Sequence, residues 1–206
     1  MSVKFIRWSG LSGIIGSILT LIMVFAATII SPRFRWDTNA LSEMGVGEVS
    51  LLFNSAMIVG GLSYLIFGFG IREYFGKKRL FRYGTALIIL GSVSFSFVGI
   101  FSISYHVLHG IVALVTFVLP PTGFILIGFT SKQSTMKKFS IITGIAALVA
   151  IFVLPAIILF LPFNIGFAVP EMTEGLIVAI WIITIGIQLL KNPTKTALKT
   201  DDLVNL

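Results

Sequence analysis

Six apolar runs divide the chain, near residues 10–30, 51–71, 83–104, 107–129, 140–161 and 173–190. A helix needs roughly 20 apolar residues to cross about 30 Å of hydrocarbon, and each run is about that long. Residues 107–129 carry no acidic or basic side chain except His109, and residues 140–161 carry none. The runs are continuous rather than alternating, which argues against the strands of a membrane β-barrel. The pattern predicts an all-α integral membrane protein: one bundle of six transmembrane helices, with a short tail at 191–206. The connections are too short for a separate soluble domain, so residues 1–206 read as a single membrane domain.

Composition agrees. Of the 206 residues 56% are apolar and only 11% charged, and the mean hydropathy is +1.04. A soluble domain carries about 25% charged residues. The few charges are placed unevenly. Sorting the segments alternately puts thirteen of the fifteen Lys and Arg on one side, in the segments around 4–7, 72–82, 132–138 and 191–199. Only Arg33 and Arg35 fall on the other. Positive residues at helix ends are retained on the cytoplasmic side, so both termini are expected inside, in the cytoplasmic membrane. The pI near 9.9 then reflects a ring of cations under the membrane, whose natural partner is anionic lipid headgroups. That distribution argues against a nucleic-acid partner. The opening "MSVKFIRWSG" resembles the start of a signal peptide, but the apolar run after it is too long and lacks a cleavage site, so it reads as the first span. Cysteine is absent, which removes disulfides and thiolate metal sites.

Small residues provide for helix packing. Gly13 with Ser17, Ser92 with Ser96, and Gly144 with Ala147 can let backbones approach closely. The serine-rich stretch "GSVSFSFVGIFSIS" is read as interhelical bonding and back-bonding to the helix rather than as a nucleophile. Pro120–Pro121 and Pro155 should kink the fourth and fifth spans, for packing rather than for an ion path. Three spans per half would allow an inverted repeat, but residues 1–104 and 105–206 show no matching sequence.

Unusual polarity gathers at the outer ends of the spans, in residues 31–54, 104–110 and 163–175. In the first loop Asp37 or Thr38 can cap a short helix, Gly45 can end it, and Ser50 can cap the second span. Leu41 and Met44 would face the membrane, Trp36 the interface, and Arg33 and Arg35 the lipid phosphates. Asn54, one turn inside the second span, needs a partner, with Ser42 or a backbone group near Gly45 the nearest choices. "SYHVLHG" holds the only two histidines, His106 and His109, on one side of a helix. His109 should point into the bundle toward Glu174 or the 37–43 loop, with Gly110 allowing a close backbone approach, while His106 stays exposed. Glu171 and Glu174 have the same spacing after Pro170, and suit the first turn of the last helix.

"DTNALSEMG", then "LLFNSAMIVGGLSYLIFGFGI", then "HGIVALVTFVLPPTGFILIGF" resemble the polytopic membrane family catalogued as domain of unknown function 998. The resemblance covers most of the chain and implies a six-helix membrane domain. Its motif maps onto Asp37, Ser42, Glu43, Gly45, Asn54, Gly60, His109 and Gly110. Family members often place Arg after the polar residue that opens the last span; here Glu174 is followed by Gly175. A more distant likeness is to membrane hydrolases of the alkaline ceramidase type, which hold zinc with His, Asp and Ser, but two histidines do not complete that set.

Three readings of the outer cluster follow. The leading one is a non-enzymic membrane protein whose outward polar cap binds a lipid headgroup or a partner protein through Arg33, Arg35, Asp37, Ser42, Glu43, Asn54, His109 and Glu174. The second is a lipid hydrolase with His109, His106 and Glu174 as catalytic candidates and zinc on His106, His109, Glu171 and Glu174; otherwise no cofactor is expected. The third is an accessory subunit of a larger membrane complex. The charge distribution is directly testable: a reporter fused after Leu206 should be cytoplasmic and one inserted at Gly45 external. The reverse result would turn the cap to the inside and remove the outward-facing reading.

Overall fold

The computed structural model describes residues 2–75, 78–161 and 164–193. The tail from 194 onward and the loop residues Lys77 and Phe163 lie outside these described residues. The six expected spans are present. Helix α1 covers Val3–Ile30, α2 Ser50–Phe75, α3 Arg79–Ile100 and α4 His106–Thr130. The fifth span is built in series from α5 (Ser134–Leu148), a π-helical stretch (Val149–Val153) and α6 (Leu154–Ile158), and α7 (Ala168–Lys191) is the sixth. The helices at the basic end begin before the apolar runs do. The hydroxyl of Ser2 accepts the Phe5 N–H at 3.3 Å and starts α1, well ahead of residue 10. The third span, conversely, stops at Ile100 rather than 104 and gives way to a 3-10 turn at Ile103–Tyr105.

Neighbours in sequence are neighbours in space. Each helix packs on the next, α5 packs on α7, and α7 returns to α1. The six spans therefore form a closed ring. Its outward faces carry large exposed apolar residues such as Ile22, Leu51, Leu114, Phe129 and Ile142, as contact with lipid tails requires. The interior is filled on the basic side by Trp181, which stacks on Phe124 at 3.9 Å and meets Phe67 edge-on. The indole N–H of Trp181 donates to the Ser140 hydroxyl at 3.0 Å, so the largest buried side chain leaves no orphan donor.

Close crossings are made by glycine. A Cβ added at Gly10 would lie 2.8 Å from the Gly186 carbonyl oxygen, and the reciprocal addition meets the Gly10 carbonyl at the same distance. Gly84 and Gly123 form a similar pair between α3 and α4. Gly13 lies under the Phe67 ring, and a Cβ on Gly144 would strike the Pro121 carbonyl oxygen. The serines of α3 behave as expected from their setting: Ser92 back-bonds to Ile88, while Ser94 and Ser96 reach the carbonyls of Val112 and Ile58 on neighbouring helices.

The prolines act differently from one another. Pro120 and Pro121 sit inside a helix that runs unbroken to Thr130, and a Cβ at Gly91 would strike the Pro120 ring. That ring is a packing element between α3 and α4. Pro155 lies two residues after the π-helical stretch ends, in the first turn of α6; its missing N–H leaves the Ile151 carbonyl without its usual donor, and the ladder widens there.

Gly110 departs from expectation: a Cβ there meets nothing within 4 Å, so no backbone approaches it. The contrast between the two kinds of glycine is measurable by thermal unfolding in detergent. Gly186→Val should cost about 1–3 kcal/mol by overpacking the α1–α7 crossing. Gly110→Ala should be neutral or stabilise by up to about 1 kcal/mol, because a helical residue is stiffened without a clash.

Candidate functional site

The first loop folds into a plug. Its 3-10 helix, Leu41–Gly45, is too short to satisfy its own N–H groups, and acidic side chains do so instead. The Glu43 carboxylate accepts from the Ala40 N–H at 2.9 Å and from the Asn39 amide at 2.5 Å. The Glu171 carboxylate, from the first turn of α7, accepts the Leu41 N–H at 2.5 Å and lies within bonding reach of the Ser42 N–H. The loop before α7 adds two backbone bonds, Gly166 N–H to Trp36 carbonyl and Ala168 N–H to Asn39 carbonyl, both at 2.9 Å. Leu41 and Met44 are buried, 8% and 3% exposed, among Val24, Phe53 and Met172. This corrects the expectation that they face the membrane: tied to α7, the plug turns its apolar side into the ring.

Capping is also reassigned. Ala40 rather than Asp37 or Thr38 precedes the 3-10 helix. Asp37 instead pairs with Arg35 through two bonds, 3.0 and 2.7 Å, and that hydrogen bonding holds its carboxyl below the usual range. Ser50 donates to the Gly47 carbonyl at 2.7 Å rather than accepting from α2. Asn54 does what its position required, donating to the Gly45 carbonyl at 3.0 Å; its Oδ1 is buried and has no bonding partner among the described residues.

The two histidines separate. His106 is exposed at the start of α4, and His109 is buried. The expected carboxylate partner of His109 is replaced by a backbone one: Nδ1 lies 2.8 Å from the carbonyl oxygen of Phe101, the residue that closes α3. A carbonyl can only accept, so Nδ1 is the donor in this bond. His109 thus ties the end of α3 to the start of α4, satisfying a carbonyl that a helix terminus leaves open.

Below the plug lies a cavity of about 130 Å³. It reaches from Leu41, Ser42 and Glu171 down to Ile88, Phe124 and Ile182. His109 and Phe124, fifteen residues apart on α4, both line it; at 1.5 Å per residue that is about 22 Å along the helix. The cavity is therefore long and narrow. Most of its wall is apolar. The carboxyl and imidazole groups of Glu171, Glu174 and His109 lie toward the plug with Ser42, while Thr20, Tyr64, Ser92 and Thr116 place hydroxyls farther along the wall. Glu174 is 5% exposed and, among the described residues, receives no hydrogen bond and no ion pair. It sits in the second turn of α7 rather than the first, because the helix begins at Ala168. Thr116 has a buried hydroxyl without a partner among the described residues.

The sequence-predicted residues thus fall into groups. Ser42, His109, Glu171 and Glu174 meet at the cavity. Arg33 and Glu43 line a shallow recess of about 610 Å³ on the outside of the plug, and Arg35 is engaged with Asp37. Asn54 anchors the plug from α2. Among the described residues no group of three or more His, Asp or Glu comes together as a metal site. Sequence reasoning missed the inner lining, including Thr116, Phe117 and Tyr64, the last with its hydroxyl beside Ser17 and Thr20. Only the polar residues among apolar ones at positions 64 and 116 hinted at it.

The family described as Protein of unknown function (DUF998) matches residues 14–188, most of the chain, and the protein belongs to that family. No curated protein and no solved structure matches it.

The plug makes a prediction of its own. Glu171→Ala should leave the Leu41 N–H buried without an acceptor, at a cost of about 1–3 kcal/mol. Hydrogen exchange over residues 38–46 should quicken strongly, whereas Glu43→Ala, which removes only exposed bonds, should quicken it less. Equal protection in all three proteins would show that the Glu171 bond does not hold the plug.

Proposed function

We propose that this membrane protein binds an amphipathic lipid, holding one apolar chain in the cavity with the polar end beneath the plug, in the cytoplasmic membrane with the plug outward. The observation that carries the reading is the cavity itself. Largely apolar space inside a ring surrounded by lipid is a natural receptor for a lipid chain, as predominantly apolar pockets with a few polar groups commonly bind amphipathic ligands. About 130 Å³ drawn out along α4 suits a single chain, not two. The carboxyl and imidazole groups at one end would fix the direction in which the guest lies, as a few convergent polar groups do in apolar ligand sites. The cationic ring at the opposite end of the helices accounts for orientation in the membrane and not for ligand binding.

Native mass spectrometry of the purified full chain tests this. The expected result is a bound single-chain lipid that is lost in Gly175→Phe. Gly175 lines the cavity, and a Cβ there meets nothing within 4 Å, so the ring fills space without a backbone clash. A stoichiometric zinc ion without lipid would favour the hydrolase, and a co-purifying protein without lipid the accessory subunit. Either outcome overturns the proposal.

A further inference from the structure

Every polar group named at the cavity is short of a cation. The lining contains Glu171 and Glu174 but no Lys or Arg. Glu171 is occupied by the backbone of the plug. Glu174, 95% buried, has no bonding partner among the described residues. His109 donates from Nδ1 to the Phe101 carbonyl. Thr116 adds a buried hydroxyl with no partner among the described residues.

An ionised carboxylate shut among apolar groups is costly unless a positive charge or several donors stand beside it. Elsewhere the structure meets that requirement: Asp37 has Arg35, and Glu171 has the plug amides. Glu174 alone of these is left open, and it is left open toward a cavity rather than toward another helix. Beside it Gly175 leaves clear space instead of a side chain. Resting on the lipid reading above, we infer that the polar end of the guest is an ammonium group, received by Glu174: the ligand is a single-chain amphiphilic amine. The amine supplies donors and the charge that the chain withholds, while its alkyl part occupies the apolar length of the cavity. An anionic headgroup would find two carboxyl groups and no Lys or Arg along the same wall, which disfavours it relative to an ammonium.

The test compares decylamine, decanol, decanoate and the short amine propylamine, binding to the full chain in amphipol. Decylamine should bind about tenfold or more tighter than decanol, the size of one charge-assisted hydrogen bond. Decanoate and propylamine should bind more weakly still. Glu174→Gln, which keeps shape, should bring decylamine to the level of decanol, and Glu171→Gln should retain the preference where the plug remains folded. If decanol equals decylamine in the wild type, the ammonium inference fails while the chain-binding reading stands. If propylamine equals decylamine, the site takes a soluble amine and the amphiphile is wrong. If no decyl compound binds, both fail. Should Glu174→Gln not fold, the wild-type order of the four ligands decides alone.

Discussion

The bond from the Leu41 N–H to the Glu171 carboxylate holds together more of this molecule than any other single contact. A loop of some twenty residues crosses the end of a ring made of apolar helices, and its backbone amides must be satisfied without water wherever they enter the ring. Glu171 reaches out of α7 to do so. The bond brings α7 to the loop, lets Leu41 and Met44 drop into the interior, and places Asn54 under the Gly45 carbonyl. Without it the lid would rest on the Gly166–Trp36, Ala168–Asn39 and Asn54–Gly45 bonds and on the burial of Leu41 and Met44.

Two glutamates three residues apart consequently do opposite things. Glu171, in the first turn, meets unsatisfied amides; Glu174, one turn deeper, meets none. Both follow from α7 starting at Ala168, a register set by the backbone bond from Ala168 to Asn39. Had the helix begun at residue 173, as hydropathy places it, Glu171 would have stood in the loop and Glu174 in the first turn. The start of the helix is thus what sets Glu171 as the clamp and Glu174 as a carboxyl buried one turn deeper.

How much of this was legible depended on whether the deciding interaction was local. Span number and type follow from apolar runs, so all six helices were readable. Asn54 was readable too, since an amide one turn inside a span must bond to something close, and Gly45 was close in sequence. The His109 partner was not, because a carbonyl at the end of α3 carries no residue signature. The burial of Leu41 and Met44 was read the wrong way round for a related reason. Their exposure depends on which way the plug is pulled, and the pull comes from Glu171, 130 residues away. The inner wall of the cavity was equally hidden, since Thr116, Phe117 and Tyr64 meet only once the ring closes.

Packing explains why the empty space is where it is. Toward the basic end the ring is drawn tight by the Gly10–Gly186 and Gly84–Gly123 crossings, and what room remains is taken by Trp181, Phe124 and Phe67. Toward the plug α2 and α3 still cross closely, since a Cβ at Gly99 would strike the Asn54 carbonyl oxygen, while Leu41, Met44 and their partners Val24, Phe53 and Met172 pack between α1, α2 and α7. Phe124, with Trp181 stacked behind it, thus makes a floor and the 3-10 helix a roof. The space between them is bounded by stacked rings below and by the hydrogen bonds of the plug to α7 above. Boundaries made of packed rings and a hydrogen-bonded plug, rather than of loose side chains, are what distinguish a preformed pocket from a packing fault.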